Sequence, residues 1–164
     1  MIEKELKYLL SPSDFSVLKE ELRKRGRPLT SASLTNYYFD TPAFNLLLSG
    51  VALRLRNQNG VWEATYKCRI KGKLFAQRRP GVLISEELNM PLDEETALRV
   101  IRGEEGLFSL DIPFLERLKT ELEGEHGWWE RVLCRGGMEV TREKTFLDPY
   151  RIPLELDEIR YEDG

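Results

Sequence analysis

The chain has 164 residues, 41% of them apolar and 32% charged, with a net charge of −3. That is enough for one domain with a substantial core, and the near-neutral balance argues against a general nucleic-acid binder, which needs a basic surface. No run of about 18 apolar residues occurs, so no membrane-spanning helix is expected. Charges at Glu3, Lys4, Glu5 and Lys7 leave no apolar stretch for a secretory signal. Cys68 and Cys134 are too few for a disulfide scaffold and are read as reduced thiols of a cytoplasmic protein. The lone His126 falls in a Gly-Glu-His-Gly turn and is expected to be solvated.

In chain order, residues 1–7 alternate as a strand, with Glu3, Glu5 and Lys7 on one face and Ile2 and Leu6 on the other. Ser11-Pro12-Ser13-Asp14 caps a helix to about Arg25, with Phe15, Leu18 and Leu22 at helical spacing and Gly26 as its stop. A strand is expected over 35–40 and a short helix from Thr41-Pro42 to Leu48. Val51 to Arg56 alternates strictly; Asn57-Gln58-Asn59-Gly60 signals a hairpin, and Trp62 to Ile70 is its return strand. A basic loop runs from Lys71 to Gly81 and a strand from Val82 to Met90. Helices are expected over 93–102 and 113–123, the second with Asp111 near its cap. Trp128 to Phe146 reads as strand broken around Gly136-Gly137, and Ile152 to Tyr161 as a further strand. The order implies an α+β domain built on one large, highly curved antiparallel sheet, with no repeats and no linker.

Like charges recur on single strand faces. Arg54 and Arg56 share one face, opposite Val51, Leu53 and Leu55. Thr65, Lys67 and Arg69 share another. So do Arg142 and Lys144, and Glu155 and Asp157. Any one of these is ordinarily a solvated sheet face. Together they leave several apolar faces that need cover, and the four predicted helices can supply it from outside. The charged faces would then point inward, where unpaired charges are costly. A polyphosphate with divalent cations satisfies both signs: Arg and Lys bind phosphate oxygens, and carboxylates hold Mg²⁺ or Mn²⁺.

At these positions the chain resembles the CYTH domain, the triphosphate tunnel metalloenzyme superfamily. Glu3-x-Glu5-x-Lys7 is similar to its ExExK signature. Asn36-Tyr37-Tyr38-Phe39-Asp40-Thr41-Pro42, Gly50-Val51-Ala52-Leu53-Arg54-Leu55-Arg56, Asn59-Gly60-x-Trp62-x-x-Thr65-x-Lys67, Thr141-Arg142 and Leu154-Glu155-Leu156-Asp157 follow in the family's order. The likeness extends over nearly the whole chain, as a single domain over 1–164.

The resemblance implies an eight-stranded antiparallel β-barrel, a tunnel with a polar lumen and helices outside. It also implies metal-dependent hydrolysis of an inorganic, organic or nucleoside triphosphate. Glu3, Glu5, Glu87, Glu155 and Asp157 would be metal ligands, with Glu5 and Asp157 acting in catalysis. Lys7, Arg54, Arg56, Lys67, Arg142 and Lys144 would bind phosphates. The alternatives are a class IV-type adenylate cyclase and a polyphosphate-binding module without turnover. Around Glu87 the family usually has two inward acids, and here the second position is Asn89: either the register differs by one or a ligand is weakened. The family also ends with one more strand, whereas here Glu162-Asp163-Gly164 closes the sequence with a hairpin signal. The expectation is therefore a truncated chain or a tunnel that closes differently, with a homodimer as the protein partner that could repair it.

Overall fold

The computed structural model describes residues 1–70, 82–121 and 127–161. The expected basic loop, His126, the last two residues of the fourth predicted helix and the terminal Asp-Gly lie outside them. Strands β1 (Ile2–Leu6), β2 (Thr30–Asp40), β3 (Val51–Gln58), β4 (Val61–Arg69), β5 (Val82–Leu92), β6 (Leu133–Leu147) and β7 (Ile152–Tyr161) form one antiparallel sheet. Its order is β1-β5-β4-β3-β2-β6-β7. It is an α+β half-barrel of seven strands, with no pairing between β1 and β7 among the described residues. The place of the expected eighth strand is between those two edges.

Helix α1 (Pro12–Lys24) starts where expected: the Ser11 hydroxyl accepts the Asp14 amide at 3.1 Å, and Pro12 needs no amide partner in the first turn. Gly26, at φ 65°, ends it. The helix is tied to the outer face of β6 by Lys19 Nζ, 2.5 Å from Glu143 Oε2. The β3–β4 hairpin turns on Asn59-Gly60, both with positive φ, and the Gly60 amide donates to Asn57 Oδ1 at 2.8 Å. This is the two-residue turn whose twist suits antiparallel strands.

Helix α2 (Asn45–Ser49) begins later than the sequence suggested. The cause is Asp40, whose carboxylate is buried and accepts three amides: Thr41 at 2.7 Å, Leu46 at 3.0 Å and Leu47 at 3.0 Å. Residues 41–44 must wrap around that carboxylate before helix can start. The expected strand from Trp128 also starts later, because Trp128–Arg131 form a 3₁₀ turn. The expected break at Gly136-Gly137 is a bulge inside a continuous strand. Tyr38 pairs with Gly136 and Phe39 with Cys134, so Arg135 has no opposite residue.

Helices α3 (Glu94–Ile101) and α4 (Pro113–Glu121) cover the outer face of β3 to β5. Leu53, Leu55, Trp62, Ala64 and Tyr66 meet Ala97, Val100, Phe114, Leu115 and Leu118 in one core. Each fully buried leucine contributes about 1.5–3 kcal/mol of hydrophobic stabilisation. Cover is incomplete at both edges of the sheet: Ile2 and Leu6 of β1, and Leu147 and Ile152 of the β6–β7 pair, are exposed, contrary to the expectation that the helices cover the apolar faces. Neither Cys68 nor Cys134 is in a disulfide. Among the described residues no helix is long and apolar enough to cross a membrane.

Candidate functional site

Register decides which side chains share the inward face, because residues directly opposite in an antiparallel pair project to the same side. Glu87 pairs with Lys67, Asn89 with Thr65, Thr65 with Arg54, and Glu63 with Arg56. Arg56 pairs in turn with Asn36, and Glu3 with Ser85. On the far side of the sheet Arg142 pairs with Asp157, and Lys144 with Glu155. One face therefore carries the charged positions singled out on the strands, Lys7 apart, while the opposite face carries the core.

The register also resolves the position of Glu87. Glu87 and Asn89 both lie inward, and the Asn89 amide donates to Glu87 Oε1 at 3.3 Å. The intervening-face neighbour Glu86 points outward and takes Arg117 Nη2 at 2.8 Å. The inward position next to Glu87 on this strand is therefore an amide, Asn89.

Two clusters form on this face. In the first, the Lys67 ammonium lies 2.6 Å from Glu3, 3.3 Å from Glu5 and 3.4 Å from Glu87. Arg54 Nη2 is 3.5 Å from Glu87. In the second, Arg142 binds Asp157 through two nitrogens, at 2.6 and 2.7 Å, and Glu155 through a third at 2.6 Å. Lys144 Nζ is 2.9 Å from Glu155. Such bidentate guanidinium–carboxylate pairs fix geometry as well as charge. The clusters feel each other: Glu5 of β1 acts electrostatically on Arg142 of β6, although four strands intervene in the sheet order. The curl of the sheet brings its two ends towards one another.

Ionisation follows these contacts. Burial lowers the Lys67 ammonium, but its hydrogen bond to Glu3 and the charges of Glu5, Glu3 and Glu87 outweigh that and raise it. Burial raises Glu87, but Arg54 and Lys67 bring it below the usual carboxylate value. Arg142 is likewise raised, its burial outweighed by Asp157, Glu155 and Glu5. Arg56 is the exception. Burial and then Arg54 lower it, Glu63 opposes them, and Arg142 lowers it further. Its guanidinium is thus buried beside two other arginines, with Glu63 and Glu87 as the opposing charges.

Arg56 also reveals partners that sequence reasoning missed. Its Nε donates to the buried Asn36 Oδ1 at 2.9 Å, and its Nη1 is 3.6 Å from Glu63. Strand alternation could have found Glu63, two residues before Thr65 and four before Lys67. Lys7 is the expected site residue that the fold does not draw in. It lies past the end of β1, is largely exposed, and stands 3.8 Å from Glu5.

Three buried polar atoms on the inward face have no hydrogen-bond partner: Arg54 Nε, Thr65 Oγ1 and Ser85 Oγ. Burying such groups unpaired is costly, so the face is built to receive polar atoms it does not itself supply. The acidic set consists of carboxylates alone, with no thiol or imidazole, which is the chemistry a hard divalent cation requires. Their arrangement is that of ion pairs. Among the described residues no group of three carboxylate, imidazole or thiol side chains is placed to hold a metal ion.

The sequence profile of the CYTH domain matches residues 1–163. No curated protein sequence matches the chain significantly. Among solved structures, the chain is similar to a putative adenylyl cyclase from Hippeastrum described as having a dominant triphosphatase activity. The identity is 26% and the TM-score 0.72, covering 98% of this chain and 72% of that one. A putative adenylate cyclase from Bacillus halodurans is 20% identical at a TM-score of 0.63, with the same coverage. A Pyrococcus horikoshii protein is 18% identical at 0.55, again with 98% of this chain and 72% of that one covered. These last two show the shared fold.

Proposed function

The chain belongs to the CYTH domain family, and from that premise we propose that it binds a linear triphosphate on its concave face and hydrolyses a terminal phosphoanhydride bond with a divalent cation, Mg²⁺ or Mn²⁺. The observation that carries this reading is the convergence of Glu3, Glu5 and Glu87 on Lys67, with Arg54 beside them, on the inward face of the curled sheet. Acid and base in comparable number on one concave surface suit a ligand made of phosphate and metal together. The dominant triphosphatase activity described for the Hippeastrum protein favours hydrolysis over cyclisation.

Arg54, Arg56, Lys67, Arg142 and Lys144 bind the phosphate oxygens, Arg56 from a position held by Asn36 and Glu63. The unpartnered Thr65 and Ser85 hydroxyls donate to the same oxygens. Glu3, Glu5, Glu87, Glu155 and Asp157 would hold the cation, which when bound would supply charge neutralisation at the terminal phosphoryl group. Asp157, released by Arg142 as that guanidinium turns to the phosphates, orients the attacking water and accepts its proton. The arginines stabilise charge on the equatorial and leaving-group oxygens.

A binding module without turnover is the second reading, favoured by Asn89 at the position where a second inward acid would complete the ligand set beside Glu87. Phosphate release from tripolyphosphate, thiamine triphosphate and ATP with Mg²⁺ or Mn²⁺ separates the two, and cyclic AMP measured in the ATP arm reports the cyclase alternative. Binding of tripolyphosphate without release under either metal would leave the binding module standing.

A further inference from the structure

On the inward face, the cations assigned to phosphate are held by the carboxylates assigned to the metal. Lys67 sits among Glu3, Glu5 and Glu87, and Arg54 also meets Glu87. Arg142 grips Asp157 and Glu155. Among the described residues the carboxylates are not gathered into a preformed metal site.

We propose that this face is self-locked, so that triphosphate and divalent cation each load weakly alone and tightly in the presence of the other. This rests on the reading of the face as a triphosphate site. A polyphosphate arriving alone must pull Lys67 and Arg142 away from their carboxylates, and leaves those carboxylates half-buried and facing new anionic oxygens. A divalent cation arriving alone must displace an ammonium or a guanidinium that then has no counter-charge. Breaking one side of a partly buried ion pair is strongly unfavourable. When both enter, the phosphates take the cations and the metal takes the carboxylates, and every charge is paired again. Each ligand therefore raises the affinity for the other by the same factor. The unpartnered Arg54 Nε, Thr65 Oγ1 and Ser85 Oγ fit this account, since the lock satisfies the charges and leaves these polar atoms waiting.

The lock makes a prediction of unusual sign: removing a metal-ligand charge strengthens metal-free anion binding. Calorimetric titration of tripolyphosphate into the full chain, in EDTA and separately with Mn²⁺, tests it. In EDTA, Glu87→Gln and Asp157→Asn each tighten binding by about tenfold, equivalent to about 1.4 kcal/mol. In Mn²⁺ the same variants gain less from the metal than the wild type does. Glu86→Gln removes the same charge one residue away on the outward face, where Arg117 holds it, and leaves binding unchanged. The two inward variants lie on different strands, so failure of one to fold leaves the other to decide. Binding in EDTA that is no tighter than wild type, or tightening of equal size by Glu86→Gln, overturns the lock. Wild-type binding with Mn²⁺ meanwhile upholds the triphosphate reading by itself. No wild-type binding in either buffer overturns both.

Discussion

Lys67 Nζ lies 2.6 Å from Glu3 Oε2, although β5 stands between their strands. The bond reaches over a whole strand, where neighbouring strands are separated by about 4.8 Å. It can do so because the sheet curls and both side chains lean into the concavity. The opening acidic strand is thereby pinned to the basic strand on which the family motif ends.

Lys67→Met tests the centre of this arrangement. The substitution keeps the unbranched stem as far as Cε and removes the ammonium, so Glu3, Glu5 and Glu87 lose the cation they share. Stability falls, because like charges then face each other half-buried. The KM for tripolyphosphate rises by at least about tenfold, corresponding to about 1.4 kcal/mol. Urea unfolding and initial-rate measurements check both. A variant with wild-type KM would remove Lys67 from the phosphate cradle.

Asp40→Ala separates a structural motif residue from the site. Asp40 belongs to the Tyr-Phe-Asp-Thr-Pro stretch that carried part of the resemblance, yet its carboxylate is spent on the amides of Thr41, Leu46 and Leu47. Its loss leaves those donors buried and unsatisfied, at a cost of about 1–3 kcal/mol. The expected result is a lowered melting temperature with an unchanged KM in the folded fraction. A KM change without a stability change would place Asp40 near the substrate.

What could be read from sequence was whatever depends on local spacing. Alternation in Val51–Arg56 separated the buried Leu53 and Leu55 from the inward Arg54 and Arg56, and Asn59-Gly60 gave the hairpin that sets their register. Strand order is a long-range property. No spacing in the chain says that β1 joins the sheet beside β5, so the meeting of Glu3 with Lys67 was not visible. Asn36 and Glu63 were missed for a different reason: each reads as an ordinary strand residue until cross-strand pairing sets it against Arg56. Asp40 shows the converse, a polar motif residue whose role is to start a helix.

Glu87 gives the protein an acid-side dependence of stability. Burial raises its carboxyl, but Arg54 and Lys67 hold it below its ordinary value of 4.5. The unfolded chain therefore binds this proton at higher pH than the folded chain. The contribution is fully present above the unfolded value and is lost as pH falls through the folded one. Urea midpoints for the wild type should fall on acidification below about pH 4.5. Glu87→Gln should show a shallower fall over the same window. Parallel curves for the two proteins would mean that the Arg54 and Lys67 contacts carry no net stabilisation.

Glu5→Gln tests catalysis apart from binding. Glu5 lies 3.3 Å from Lys67 and acts electrostatically on Arg142 across the concavity, so it stands between the two clusters. The amide keeps the shape and one oxygen but loses the charge that a divalent cation needs. Phosphate release at saturating Mn²⁺ and tripolyphosphate is expected to drop by more than about 100-fold, near 2.7 kcal/mol in the barrier. Metal-free tripolyphosphate binding should survive, because the change removes a negative charge beside the phosphate cradle. The pairing of those two results is informative. A fall in turnover with preserved binding assigns Glu5 to the metal and the chemical step. A matched loss of both assigns it to positioning Lys67. Full activity would take it out of the catalytic set and shift that role to the Glu155–Asp157 side, where Arg142 already holds both carboxylates.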